Sequence, residues 1–151
     1  MRTLLACIGL IAVLLSTAAK SQEPLPPEIR AAMSEARKDC SASLKFKKGF
    51  LTRRDVNGDG VTDFILDYGA AECGDRLSFY CGSGGCTTQV FASLPDGGYA
   101  KVLDDTVRGV RFDRVRGRPA MVLDLHGSAC GKVGAEPCRK ILLWNGRRFV
   151  Q

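Results

Sequence analysis

The chain repeats itself. Slid along its own length by 57 residues, it brings Gly60 onto Gly117, Asp67 onto Asp124, Cys73 onto Cys130, Gly74 onto Gly131 and Cys81 onto Cys138. Phe64-Ile65-Leu66 falls at the same time on Met121-Val122-Leu123. Glycine, cysteine and aspartate have special backbone, covalent and capping roles, so these identities require both copies to build one supersecondary unit. Downstream, Gln89-Val90-Phe91-Ala92 before Asp96-Gly97-Gly98-Tyr99 matches Ile141-Leu142-Leu143-Trp144 before Asn145-Gly146-Arg147-Arg148-Phe149. The second copy is shorter because it lacks the Cys81-Gly82-Ser83-Gly84-Gly85-Cys86 loop, which puts the pseudo-repeats at about 46–106 and 107–151.

Each copy reads as strands joined by turns, because short β-branched and aromatic runs are punctuated by Asn-Gly, Asp-Gly and Gly-Gly. The expected strands are 46–54, 61–68, 77–81, 87–94, 99–103, 107–113, 118–126, 139–144 and 148–150. Asn145-Gly146 signals a hairpin turn of type I′, which needs φ > 0 at both central residues. The stretch from Pro27 to Lys38 breaks the pattern. Its leading prolines suit a helix start, and Ile29, Ala32, Met33 and Ala36 share one helical face for packing on the sheet. Residues 20–26 are expected to be a flexible leader, and 27–151 a single β-rich domain.

Compartment is read from the N-terminus and from the cysteines. Arg2, the apolar run Leu4 to Leu15 and the small residues Thr17-Ala18-Ala19 form an export signal over 1–19, with cleavage after Ala19 or after Ser21. The apolar run is shorter than the roughly 20 residues needed to cross a bilayer, so no membrane span is expected in the mature chain. Export leaves a net charge of +5 or +4, down from +6, too diffuse to imply nucleic acid. It also removes Cys7 and leaves six cysteines, an even count that implies three disulfides in an oxidising compartment, periplasmic or secreted. Cys130 with Cys138 closes a short loop. The other four pair either as Cys40–Cys73 with Cys81–Cys86, the preferred arrangement, or as Cys73–Cys81 with Cys40–Cys86, which the repeat favours.

One motif carries chemistry. Asp55-Val56-Asn57-Gly58-Asp59-Gly60-Val61-Thr62-Asp63 has the D-x-N-x-D-G-x-x-D form of a calcium loop. Alternate oxygens of Asp55, Asn57 and Asp59, with the Val61 carbonyl and the Asp63 carboxylate, can surround one hard cation. An EF-hand would need a glutamate at the twelfth position, which is Leu66. In the second copy the side-chain ligand positions become Phe112, Arg114, Arg116 and Ala120, so at most one site is expected. Without metal, the same residues make an ordinary Asp/Asn-rich turn.

Where this loop leads into the apolar strand Phe64-Ile65-Leu66, the chain resembles the blade repeats of the FG-GAP and VCBS families, over residues 52–103 and less closely through Phe149. It is similar to small exported bacterial proteins with FG-GAP-like sequence. That resemblance implies propeller-blade units, but closure needs about four or more blades and here there are two. The fold expected is therefore mainly β, an antiparallel meander or sandwich of two blade-like pseudo-repeats, with one N-terminal helix and disulfide staples.

Other candidates read as structural. His126 is the only histidine, and Asp124 and Ser128 are too local to it to build a triad. Gly82-Ser83-Gly84-Gly85 lacks the Lys-Ser/Thr sequel of a phosphate loop. Arg114, Arg116 and Arg118 are expected on one solvated strand face. No residue is assigned a catalytic role. Two function classes follow: a non-catalytic binding or structural module of the cell envelope, with an envelope protein or glycan as partner, or a small hydrolase using Asp67 and Asp124, equivalent under the repeat.

Overall fold

A computed structural model describes residues 24–76 and 78–151. The expected signal, its cleavage positions, Cys7 and the first part of the leader lie outside these residues, as does Leu77. The described residues are mainly β, with antiparallel sheets, one α-helix and three disulfides among them. No helix among the described residues is long and apolar enough to cross a membrane.

Helix α1 spans Pro27–Asp39, with Pro26 at its N-cap and Pro27 as its first residue, where a missing N–H costs nothing. Its stripe of Ile29, Ala32 and Ala36 is buried, and Met33 packs beside it. Leu25, within the expected leader, packs against the same cluster. Strand β1 (Leu44–Phe46) is separated from β2 (Leu51–Arg54) by a turn that the Phe50 N–H closes on the Lys47 carbonyl at 3.1 Å. The single strand expected over 46–54 is thus broken, because turning there drives the Phe50 ring into the core, where it is 2% exposed. β1 pairs with a strand not foreseen from the sequence, β4 (Ala71–Cys73), which follows β3 (Asp63–Asp67) after a 3₁₀ turn.

The first main sheet orders β2, β3, β6 (Gly85–Ser93) and β7 (Tyr99–Val107), all antiparallel, with the short β5 (Cys81–Gly82) added to the start of β6. The second sheet orders β8 (Gly109–Val115), β9 (Arg118–Leu125), β10 (Cys138–Trp144) and β11 (Phe149–Val150). Each contains a run of four antiparallel strands in chain order, one from each copy, and the first carries β5 in addition. The hairpin β10–β11 forms as expected, but not through a type I′ turn: Asn145 does not have positive φ, and its side-chain oxygen accepts the N–H groups of Arg147 and Arg148 at 3.0 and 2.9 Å in a four-residue loop. Two successive positive φ angles occur instead at Arg116 (52°) and Gly117 (78°), between β8 and β9. Turning there also dissolves the shared strand face expected for Arg114, Arg116 and Arg118, since Arg116 is in the turn, and Arg114, opposite Pro119, and Arg118, opposite Val115, lie on different strands and opposite faces.

Period-2 alternation gives each sheet two faces. In the first sheet Phe64, Leu66 and Phe91 face α1, and with Ile29, Ala36, Phe50 and Tyr68 they make one core. Val90, Ala92, Leu103 and Val107 face the second sheet and meet Met121, Leu123 and Leu125 in the other. The face that α1 covers in the first copy is the one that the first sheet covers in the second. On the outer face of the second sheet Asp124 takes ion pairs from Arg139 at 2.9 Å and Arg111 at 3.2 Å beside the buried Val122, while Ile141 opposite Val122 stays exposed. A polar outer face is how a terminal unit of a stacked array avoids exposing its apolar side.

The disulfides join Cys40 to Cys73, Cys81 to Cys86 and Cys130 to Cys138. The first ties the end of α1 to β4. The second joins residues directly opposite in a hairpin, and there Gly85 is required, since a Cβ would sit 2.0 Å from the Val107 carbonyl oxygen.

Candidate functional site

The Asp-rich loop joins β2 to β3, and its side chains are occupied by its own backbone and by Ser93 at the end of β6. Asp55 accepts the N–H groups of Gly58 (2.6 Å) and Gly60 (2.9 Å). Asn57 accepts the Asp59 N–H, and Asp59 that of Val61. Asp63 is fully buried, and its two oxygens take four donors: the backbone N–H of Val56, Asn57 and Ser93 and the Ser93 hydroxyl, at 2.6, 3.3, 2.8 and 2.8 Å. The Asn57 amide donates to Asp59 at 3.1 Å, and the Ser93 hydroxyl, with one hydrogen, lies between the two carboxylates, 2.7 Å from Asp59 and 2.8 Å from Asp63. Burial pushes the Asp59 carboxyl up, but the hydrogen bonds from Ser93, Val61 and Asn57 together outweigh it and hold the group below the usual carboxylate value.

As donors, Asp55, Asn57, Asp59, the Val61 carbonyl and Asp63 suit a hard cation, since all offer oxygen. As arranged they do not converge: Asp55 turns to the loop backbone, while Asp59 and Asp63 turn to Ser93. Among the described residues no three His, Cys, Asp or Glu side chains are grouped to hold a metal ion. The second copy has no counterpart of this loop, because the Arg116–Gly117 turn replaces it and puts Phe112, Arg114 and Ala120 in the β8–β9 ladder.

A hollow of about 610 Å³ lies where the sheets part, beside β2 and the start of β8. Such a volume falls in the range of small-molecule sites. Ile65, Val107, Val110 and Phe112 line its apolar part, Thr52 and Thr88 supply hydroxyls, and Lys48, Arg54 and Arg108 bring positive charge. Arg54 lies over the Phe112 ring at 5.4 Å. Arg108 donates to the carbonyls of Ser83 (3.2 Å) and Gly134 (2.9 Å), holding the two disulfide loops to one another. Among the described residues the one carboxylate lining the cleft is Asp67, which accepts the Gly69 N–H at 2.8 Å and caps the 3₁₀ turn.

Asp67 and Asp124, matched by the repeat, are not brought together. Asp67 lines the cleft, whereas Asp124 lies on the outer face of the second sheet, where the hydrogen bond from Arg139 and the charge of Arg111 hold its carboxyl below the usual value. His126 is engaged locally, its Nδ1 bonding the Ser128 hydroxyl at 2.8 Å. The cleft and the role of Ser93 escaped the sequence reading. The signal available was the run of polar residues on a strand face that packs inward: Thr52 and Arg54 on β2, Asp67 on β3 and Thr88 on β6. No family model matches the chain, and no curated protein or solved structure matches it either.

Proposed function

We propose that this protein is an exported, non-catalytic binding or structural module of the bacterial cell envelope, built from two FG-GAP-like units, whose ligand seats in the cleft between the sheets. The observation that carries the reading is the cleft itself: one concave, mixed polar and apolar surface with a single carboxylate and no nucleophile held by a base. Three disulfides are consistent with an oxidising compartment. A Thr52→Trp substitution fills the cleft from an exposed strand position and tests this directly. Immobilised wild type is expected to retain an envelope component that Thr52→Trp loses at unchanged melting temperature. Equal retention by both would overturn the reading, and so would hydrolysis of glycosides or esters that Asp67→Asn abolishes.

We further propose that the Asp55–Asp63 loop takes up calcium, on the strength of its oxygen-only donors and three carboxylates. Entry has to displace the bonds from Ser93 to Asp59 and Asp63, so the affinity expected is about millimolar, sufficient outside the cell. Calorimetry with calcium at about 100 times its dissociation constant should add roughly 2.7 kcal/mol over the protein in chelator. Binding should saturate at one ion per chain, and Asp59→Ala should remove the increment. Identical melting curves in calcium and chelator would eliminate the ion.

A further inference from the structure

We propose that the cleft recognises an acidic saccharide unit, a sugar-sized ligand bearing a carboxylate or phosphate. This rests on the binding-module reading above and adds the ligand class to it.

Charge comes first. Lys48, Arg54 and Arg108 all line the cleft, and none of them takes part in the ion pairs formed among the described residues. On the second sheet, by contrast, Arg111 and Arg139 are paired with Asp124, while Arg114 and Arg118 donate to the backbone carbonyls of Gly117 and Trp144. Three unpaired cations around one concavity with low-dielectric walls focus a positive potential that an anion relieves. Two of them are already positioned: Arg54 is stacked on Phe112, and Arg108 is held through one nitrogen by the Ser83 and Gly134 carbonyls, which leaves its remaining N–H groups for an oxyanion.

Asp67 then selects among anions. A bare phosphate or a purely acidic ligand would be repelled by it. One oxygen of Asp67 accepts the Gly69 N–H, and the other has no partner among the described residues. A carboxylate acceptor and the hydroxyls of Thr52 and Thr88 suit a ligand rich in O–H groups, and Ile65 and Val110 offer an apolar surface to the C–H face of a pyranose ring. A molecule carrying both hydroxyls and an oxyanion uses every one of these groups. A glutamate-rich peptide has no hydroxyls for Asp67 to accept.

The test is titration calorimetry on the full-length mature chain with disulfides intact. The probes are digalacturonate, its neutral dimethyl ester, glucose 6-phosphate and inorganic phosphate. Digalacturonate or glucose 6-phosphate is expected to bind about tenfold or more tighter than both the ester and inorganic phosphate, with affinity falling as salt is raised; which of the two binds tells carboxylate from phosphate. Lys48→Gln, an exposed loop position, and Arg54→Gln should each weaken binding about tenfold. Lys38→Gln, the same charge change on α1 at the far face of the first sheet, should leave it unaltered. Equal binding of the ester, equal binding of inorganic phosphate, or no binding of either acidic sugar would overturn the ligand class. The Thr52→Trp comparison reports separately on whether the cleft is a binding site at all.

Discussion

Asp63→Ala is expected to destabilise the protein by about 3–5 kcal/mol, the cost of emptying a buried charged acceptor whose donors stay behind. The carboxylate is fully buried and serves three backbone N–H groups and one hydroxyl. Alanine would leave those donors facing a void. Asp63→Asn keeps the volume but replaces one acceptor oxygen by an NH₂ group that points at a donor, so a loss of about 2–3 kcal/mol is expected. Asp55 lies in the same loop and holds two backbone N–H groups, but it is solvent-exposed. Asp55→Asn should cost about 1 kcal/mol or less. Urea unfolding at neutral pH without calcium ranks the three. Since a domain of this size has about 5–15 kcal/mol in total, Asp63→Ala falls near the edge of folding. A midpoint within 1 kcal/mol of wild type would show that water reaches the donors and that Asp63 is not the residue tying loop to sheet.

The second large effect is a ranking of the three disulfides. In the chain-entropy description, a bridge stabilises by restricting the unfolded chain, and the effect grows with the logarithm of the loop it closes. The separations are 33 residues for Cys40–Cys73, 8 for Cys130–Cys138 and 5 for Cys81–Cys86. Paired alanine substitutions are therefore expected to cost roughly 3.7, 2.5 and 2 kcal/mol. Burial points the same way for the first pair, because Cys40 and Cys73 are each 4% exposed and anchor α1 to β4, so their removal also disturbs packing. Guanidinium unfolding of the three double mutants checks the order. If removing Cys40–Cys73 proved the mildest change, residual structure in the unfolded chain would have to hold helix and sheet together without it.

Much of the fold was legible because its signals are short in range. Alternation of apolar residues marks strands wherever one face is buried, and Pro26, Pro27 and the stripe Ile29, Ala32, Ala36 mark a helix through local backbone and periodicity alone. The misreadings share a different cause. Phe50 interrupts a strand because its ring is needed in a core built with α1 and Tyr68. Asn145 does not adopt positive φ because its side chain finds two N–H groups nearby, while Arg116 does so because β8 and β9 are held in register along seven pairs on either side of the turn.

The candidate site divides along the same line. The Asp-rich loop could be found from spacing, since its residues are neighbours in the chain. Its keystone contact could not, because Ser93 lies 30 residues from Asp63. The cleft is assembled from β2, β3, β6 and β8, and nothing in the local sequence of Lys48, Asp67 or Arg108 says that they share a cavity. The sequence by itself pointed to two like units of antiparallel sheet after one helix, with six of its seven cysteines placed within that β-rich region or at its edge to bind it. Only the tertiary structure decided which face of each sheet is covered, which carboxylate is buried and which stays free, and where the sheets part to leave a cavity. Secondary structure answers to neighbours a few residues apart, whereas burial and charge depend on surfaces that meet only when distant segments pack.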